Sequence, residues 1–299
     1  MSFACLKPGD LVGVVAPAGP AKPEALAQVD ALYARHGLRV RLFPACHASS
    51  GYLAGPDALR LADLHAALAD DEVAAIHCLR GGYGAMRILD GVDTALVRSK
   101  PKLLIGYSDI TALHALWAQE GLASLHAPMP ASDLVKPGRE ADEAALFDVL
   151  LNGLRAGTVL QPALEPATPR TAGRAEGLLV GGNLSLVAAL MGTPWAWNPH
   201  GAILFLEDVS EEPYRVDRYL TQLRLGGVLG AVAGVLLGSF TDEDYPLALL
   251  KDTLEGLGKP VLGGWPTGHG TPNRPLPMGL HARLDATAGT LTLLEDLLT

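Results

Sequence analysis

One serine stands where the sequence could present a nucleophile to a substrate. Ser108 follows the apolar run 103–105 and Gly106, and it precedes a segment whose apolar residues recur at helical spacing. This pattern predicts a buried strand, a tight turn with the serine at its tip, and a helix, which together make a nucleophile elbow. Such a turn exposes the hydroxyl and points the first helical N–H groups at the atom that the serine attacks.

The elbow pattern is incomplete, because Ile110 stands where Gly-x-Ser-x-Gly has its last glycine. An isolated Gly-x-Ser is more often a helix cap than a nucleophile. The catalytic interpretation therefore depends on a base and an acid elsewhere in the chain.

Two histidines are candidates for the base. His126 ends the predicted strand 123–127, and His269 lies in a glycine-flanked loop at 266–271. Strand ends and loops of this kind are where sites of α/β proteins form, so both stay open at this point. Glu207 and Asp208, directly after the apolar run 202–206, are candidates for the acid that orients the base.

The stretch 80–84, Arg-Gly-Gly-Tyr-Gly, follows the third predicted strand. Its main-chain N–H groups could form an anion-binding nest, although a plain strand-to-helix turn has the same composition. The chain contains neither a Gly-Lys-Ser/Thr phosphate loop nor Gly-x-Gly-x-x-Gly nor His-Glu-x-x-His. We therefore expect no nucleotide cofactor and no metal.

Composition limits the partners. The 299 residues carry a formal net charge of −9 without a basic block, which argues against nucleic acid and anionic membranes. No apolar run reaches the roughly 18 residues of a membrane span, and the N-terminus lacks the features of a secretory signal. Three widely spaced cysteines indicate neither a disulfide framework nor a zinc site. The expected location is the cytoplasm.

The first half of the chain alternates apolar strands with helical segments, and this alternation predicts an α/β domain over residues 1–155. Such strands form a mostly parallel sheet covered by helices on both faces. The predicted strands are 11–16, 38–43, 73–79, 103–105 and 123–127.

The second half is organised differently. Residues 156–174 contain three prolines and little periodicity, which predicts a linker. Residues 175–299 predict a smaller, mixed α/β domain with a polar helix at 213–225. Its last two strands, 280–284 and 290–294, form a closing hairpin.

Five motifs occur in an order that resembles the LD-carboxypeptidase family of serine peptidases, the muramoyltetrapeptide carboxypeptidases. The resemblance covers nearly the whole chain. The motifs are 80–87 (Arg-Gly-Gly-Tyr-Gly-Ala-Met-Arg), 106–114 (Gly-Tyr-Ser-Asp-Ile-Thr-Ala-Leu-His), 181–184 (Gly-Gly-Asn-Leu), 206–209 (Leu-Glu-Asp-Val) with 213–218 (Pro-Tyr-Arg-Val-Asp-Arg), and 268–270 (Gly-His-Gly).

The resemblance implies a cytoplasmic, usually homodimeric hydrolase of the amidotransferase-like type that removes the terminal D-alanine from murein tetrapeptides during cell-wall recycling. It also implies a triad of Ser108, Glu207 and His269, and an oxyanion hole made by the main-chain amides of Gly82 and Asp109. No cofactor is implied.

Two other functions stay open. Relatives similar to the microcin C self-immunity peptidases use the same triad on peptidyl or aminoacyl nucleotides, and an amidotransferase-like binding module would use no nucleophile. A carboxypeptidase must also bind a free carboxylate, for which a guanidinium is suited. Arg80, Arg215 and Arg218 are candidates, and the sequence selects none of them.

Overall fold

Six strands form a first sheet that is parallel except at one edge. The computed structural model describes residues 2–162, 168–241 and 247–299. The strand order is β12-β5-β4-β3-β1-β2, and only the pair of β12 with β5 is antiparallel. These strands are β1 Leu11–Val15, β2 Arg39–Leu42, β3 Val73–Cys78, β4 Leu103–Gly106, β5 Ser124–His126 and β12 Leu276–Met278.

Helices cover both faces of this sheet, as predicted. Alternate residues of β1 belong to different cores: Val12 and Val14 pack under α2 (Val29–Ala34) and α7 (Glu140–Asn152), whereas Leu11 and Val15 pack under α3 (Asp57–Ala69) and α6 (Thr111–Gln119). A strand buried on both faces needs this continuous apolar sequence. The helices of this half are α1 Pro23–Leu26, α2 Val29–Ala34, α3 Asp57–Ala69, α4 Ala85–Ile88, α5 Thr94–Ser99, α6 Thr111–Gln119 and α7 Glu140–Asn152.

Eight strands form a second, mixed sheet in the order β6-β14-β13-β8-β9-β10-β11-β7. The strands β8 to β11 run parallel, and their neighbours on either side pair antiparallel. The strands are β6 Val159–Leu160, β7 Arg170–Thr171, β8 Arg174–Asn183, β9 Ile203–Val209, β10 Gly234–Thr241, β11 Val261–Leu262, β13 His281–Asp285 and β14 Thr290–Leu293; the helices are α8 Leu184–Leu190, α9 Pro213–Leu225, α10 Val228–Ala231 and α11 Leu247–Glu255.

The predicted α/β class is therefore confirmed, including the mixed second half and the closing hairpin of β13 and β14. The segment 156–174, which the sequence predicts to be a linker, includes two short strands in the structure: β6 pairs with β14, and β7 pairs with β11. Strands of two residues have no sequence pattern of their own, because only their partners in the sheet define them. Residues 163–167 of this segment lie outside the described residues.

The expected boundary between 1–155 and 175–299 does not separate the two sheets cleanly. The strand β12 comes from the second half but pairs with β5 of the first sheet. Its register places Leu276 beside His126. The strand β12 thus covers the edge of β5 that would otherwise be unpaired, and the two halves of the chain interlock as a result. Among the described residues, no helix has the length and apolar character needed to cross a membrane.

Candidate active site

The turn after β4 holds Ser108 in a backbone conformation that L-residues rarely adopt. The φ of Ser108 is 63°, and residues 108–110 form a 3₁₀ turn that leads directly into α6. Such strain costs about 1–3 kcal/mol and collects at functional sites. Ile110 takes the place of the second elbow glycine and is buried against Gly106, where an added Cβ would meet it at 3.1 Å. The half-buried Ser108 thus sits at a nucleophile elbow.

The glycine turn 80–84 lies against this serine. A Cβ atom on Gly81 would come within 2.9 Å of Cβ of Ser108 and 3.4 Å of the main-chain nitrogen of Asp109. The buried carboxylate of Asp109 accepts a hydrogen bond from the N–H of Ala85 at 2.7 Å. This bond fixes the elbow to the start of α4. The glycine turn therefore borders the serine at Gly81, next to the main-chain nitrogen of Asp109.

Glu207 and His269 extend from Ser108 as a hydrogen-bonded chain. Oε2 of Glu207 lies 2.7 Å from Nδ1 of His269, and it also accepts the main-chain N–H of His269 at 3.2 Å. Nε2 of His269 lies 3.1 Å from Oγ of Ser108. Because Nδ1 faces a carboxylate, it carries the proton, and Nε2 can accept the proton of the serine hydroxyl.

The alternation of β9 decides which of the two acids reaches the histidine. Glu207 shares a face with Phe205, which packs toward β12–β14, whereas Asp208 shares the opposite face with Leu206, under α8 and α9. The strand continues to Val209, so adjacent side chains point to opposite sides. Asp208 instead accepts hydrogen bonds from Nδ2 of Asn183 at 2.8 Å and from a main-chain N–H of α8.

Known proteins of one family match both halves of the chain. Residues 12–127 match the LD-carboxypeptidase N-terminal domain, and residues 176–284 match the LD-carboxypeptidase C-terminal domain. The chain belongs to the LD-carboxypeptidase family. The probable murein peptide carboxypeptidase of Bacillus subtilis is 40% identical over 301 residues, which cover 96% of this chain and 92% of that protein.

Two solved structures share the fold of this LD-carboxypeptidase. The muramoyltetrapeptide carboxypeptidase of Oxalobacter formigenes has a TM-score of 0.86 and 29% identity, covering 97% of this chain and 100% of the other. The microcin C7 self-immunity protein MccF, in complex with aspartyl sulfamoyl adenosine, has a TM-score of 0.88 and 22% identity, covering 100% of both chains. At 22% identity, the similarity to MccF shows a shared fold and nothing further.

A network of hydrogen bonds holds the histidine loop, residues 266–274. The N–H of Gly270 donates to Oγ of Ser239 at 2.8 Å, and the N–H of Gly268 donates to Oδ1 of Asn273 at 3.0 Å. Asn273 donates its own N–H to the buried carboxylate of Asp142, on α7 of the first half, at 2.9 Å. The sequence pattern does not single out Ser239, Asn273 or Asp142, because isolated polar residues form no motif. For Ser239, the available signal is its position after the apolar run of β10, near the end of a buried strand.

Gly268 permits the contact between Glu207 and the histidine loop. Its φ is 115°, and an added Cβ would lie 2.5 Å from Oε2 of Glu207. We expect Gly268→Ala to lower kcat by at least about 100-fold, since a shift of about 1 Å in a reacting group costs that much. The matched control is Gly9→Ala: the φ of Gly9 is 92° and nothing lies within 4 Å of the added atom, so activity should stay near wild type. Equal activity of the two variants would contradict the steric argument.

The surroundings of His269 favour its protonated form. Burial lowers the pKa of this imidazole, but the charge and hydrogen bond of Glu207, with smaller contributions from Asp208 and Asp133, outweigh it and raise the pKa above the ordinary 6.5. A carboxylate beside a histidine has this effect because it stabilises the imidazolium. The same charge would stabilise the imidazolium that forms when His269 takes a proton from serine.

This shift predicts the pH dependence of activity. A general base works only when it is unprotonated, so kcat/KM should rise with pH through the pKa of His269 in the free enzyme. Because that pKa is raised, the midpoint of the rise should lie above 6.5. A pH–rate profile measured over about pH 5–9 checks this, with thermal unfolding followed in the same buffers. A rise centred below 6.5 would contradict a base paired with Glu207.

His126, the other candidate base, is fully buried below the site. Its ring lies 5.6 Å from that of Tyr107 and 5.1 Å from that of Phe205, and burial lowers its pKa well below 6.5. Within the described part of the chain, neither ring nitrogen has a hydrogen-bond partner. His114 is also buried, and its ring bonds Oγ of Ser124 and the carbonyl of Gly106. Among the described residues, His269 is the histidine that is hydrogen-bonded to Ser108.

The three candidate arginines lie in different surroundings. Arg80 is half-buried at the glycine turn, whereas Arg215 and Arg218 are exposed on α9, where both stand over the ring of Tyr214. Across residues 2–162, 168–241 and 247–299, no group of three or more His, Cys, Asp or Glu side chains is arranged to hold a metal ion.

Proposed function

We propose that this LD-carboxypeptidase is a serine-type enzyme that releases the terminal D-alanine of murein tetrapeptides. The observation that carries the proposal is the hydrogen-bonded chain from Glu207 through His269 to Ser108, which stands at a strained elbow. The substrate class is proposed from two similar proteins, a probable murein peptide carboxypeptidase and a muramoyltetrapeptide carboxypeptidase.

Acylation begins at the contact between His269 and Ser108. Nε2 of His269 takes the hydroxyl proton as Oγ attacks the carbonyl carbon of the bond between the third residue and D-alanine. Glu207 holds the proton on Nδ1 and stabilises the imidazolium. The imidazolium then gives its proton to the departing amine, and D-alanine leaves while the acyl group stays on Oγ.

Negative charge develops on the carbonyl oxygen during this step. The main-chain N–H groups of Gly82 and Asp109 are the proposed donors to that oxygen, because their turns meet at Ser108. Fixed main-chain donors need no reorganisation when the charge forms, and one such donor is typically worth about 10²- to 10³-fold in kcat.

Deacylation repeats the proton transfers with water in place of serine. His269 takes a proton from the attacking water and returns one to Oγ of Ser108, which releases the shortened peptide. Ser108 comes from the first sheet, whereas Glu207 and His269 come from the second half, so the reaction would occur in the junction between them. The cytoplasmic location and the homodimer stay predictions of the family resemblance.

Purified muropeptides test the substrate directly. The protein is incubated with a murein tetrapeptide, and mass spectrometry should detect the loss of one alanine. A tetrapeptide that ends in L-alanine is the matched control and should persist, because an LD-carboxypeptidase acts on a bond to a D-residue.

Two other results would redirect the assignment. Cleavage of an aminoacyl nucleotide with no action on muropeptides would favour a function like that of the microcin self-immunity proteins. A fluorophosphonate probe that never labels Ser108 in the folded protein would favour a binding module without catalysis.

A further inference from the structure

Arg80 places a positive charge on the glycine turn, and among the described residues its hydrogen-bond partners are two carbonyl groups. Nη1 of Arg80 donates to the carbonyl of Pro20 at 3.1 Å, and Nε donates to the carbonyl of Gly81 at 3.3 Å. No carboxylate among the described residues pairs with this guanidinium. Carbonyl partners fix the orientation of a guanidinium without neutralising it, and its remaining N–H groups are available to an anion.

Arg80 lies near the nucleophile, across the glycine turn. Its Nη2 would lie 3.9 Å from a Cβ atom on Gly82, and Gly81 between them would meet Ser108 at 2.9 Å. Arg80 therefore borders the turn that also supplies a proposed oxyanion donor. An anion bound here would lie beside the reacting bond.

The two competing arginines are less suited. Arg215 lies 3.6 Å from the carboxylate of Glu211, and both Arg215 and Arg218 stand over the exposed ring of Tyr214. Their side chains are solvated, and a solvated guanidinium contributes little to binding. Arg80 is half-buried, where a charge–charge contact is stronger because less water screens it.

The chemistry of the substrate requires such a charge. The protein carries a net charge of −9, which disfavours an anionic peptide unless a local positive group compensates. In the leaving amino acid, the carboxylate carbon lies only about 2.5 Å from the scissile nitrogen, two bonds away. The group that binds this carboxylate must therefore lie close to the nucleophile in space.

We propose that Arg80 is the carboxylate-binding residue of the site and that it takes the terminal carboxylate of the leaving D-alanine. This inference rests on the proposed carboxypeptidase function. A carboxylate on the acyl side of the substrate has the same chemistry but lies further from the scissile bond, so it is the second source to distinguish.

Three peptides separate these sources: the free acid, its C-terminal amide, and a peptide whose acyl-side carboxylates are amides. The wild-type protein should prefer the free acid to the C-terminal amide by roughly 10- to 100-fold in kcat/KM, the range for a charged hydrogen bond. Arg80→Gln should remove this preference, and Arg80→Lys should restore part of it. Arg87→Gln, which removes a surface arginine paired with Asp57, is the matched control and should keep the preference.

A neutral p-nitrophenyl ester without carboxylates monitors Ser108 separately. The rate of each variant on the peptides is divided by its rate on this ester, so that any general effect on Ser108 cancels, and N-acyl-D-alanine should inhibit ester hydrolysis in the wild type far better than in Arg80→Gln. If Arg80→Gln still prefers the free acid to the C-terminal amide, the assignment to D-alanine is wrong. The same holds if this variant loses only the preference for peptides with free acyl-side carboxylates. Hydrolysis of the ester with no cleavage of any peptide contradicts the proposed function instead, while the inhibition data still decide the role of Arg80.

Discussion

Replacing Ser108 with alanine should abolish peptide hydrolysis and leave the fold intact. The substitution removes one hydroxyl from a half-buried turn, so no core cavity forms, and the backbone strain at φ 63° stays much the same. Loss of a triad nucleophile typically costs on the order of 10⁴-fold or more in kcat. Steady-state assays of the variant on a murein tetrapeptide measure the effect.

The control for Ser108→Ala is its thermal unfolding, which should stay within a few degrees of the wild type. Fluorophosphonate labelling provides a second measurement, because the wild type should be labelled and the variant should not. Turnover of the folded variant at near-normal rates would remove Ser108 from the mechanism, and with it the proposed acyl-enzyme.

Replacing Glu207 with glutamine should lower kcat by about 10²- to 10⁴-fold. The main-chain N–H of His269 donates to Oε2, so the glutamine oxygen should stay at this position and keep the proton on Nδ1. What the variant loses is the negative charge that stabilises the imidazolium. The pKa of His269 should therefore fall, and the rise of the pH–rate profile should move to lower pH.

Asp208→Asn is the matched control, because it removes a charge from the next residue of the same strand. From described residues, Asp208 accepts hydrogen bonds from Asn183, Ser185 and Val209, and the Nδ2 group that replaces one carboxylate oxygen in asparagine cannot accept any of them. We expect a lower melting temperature with a much smaller effect on kcat. A large catalytic loss confined to Asp208→Asn would instead make Asp208 the acid of the triad.

The elbow could be predicted from the sequence because it is a local structure. A strand, a turn and a helix lie within about twenty residues, and the apolar run before Gly106 with the helical spacing after Ser108 specifies them. The alternation of strands and helices in the first half has the same local origin. These features of the fold agree with the structure.

The choice of base and acid could not be made from local pattern. The two residues before Glu207 in β9, Phe205 and Leu206, are both apolar, so the sequence does not show which face of this strand lies toward the histidine loop. Packing against β12–β14 decides it, and those residues lie some 70 or more positions further on. His126 likewise looks like a site residue at a strand end until the second half buries it. The residue pattern leaves Asp208 and His126 open as alternatives, and the family motifs alone select Glu207 and His269 over them.

The interlocked strand β12 has a consequence for how the enzyme is made. Its partner β5 lies about 150 residues earlier, so the pair closes one of the longest loops in the fold, and contacts of such separation form slowly. During synthesis the first sheet would emerge with β5 at an open edge. The histidine loop immediately precedes β12, so His269 can reach Ser108 only after the residues up to this strand have been translated. We therefore expect a fragment that ends before the histidine loop to lack hydrolase activity, because the proposed base and nucleophile cannot meet in it.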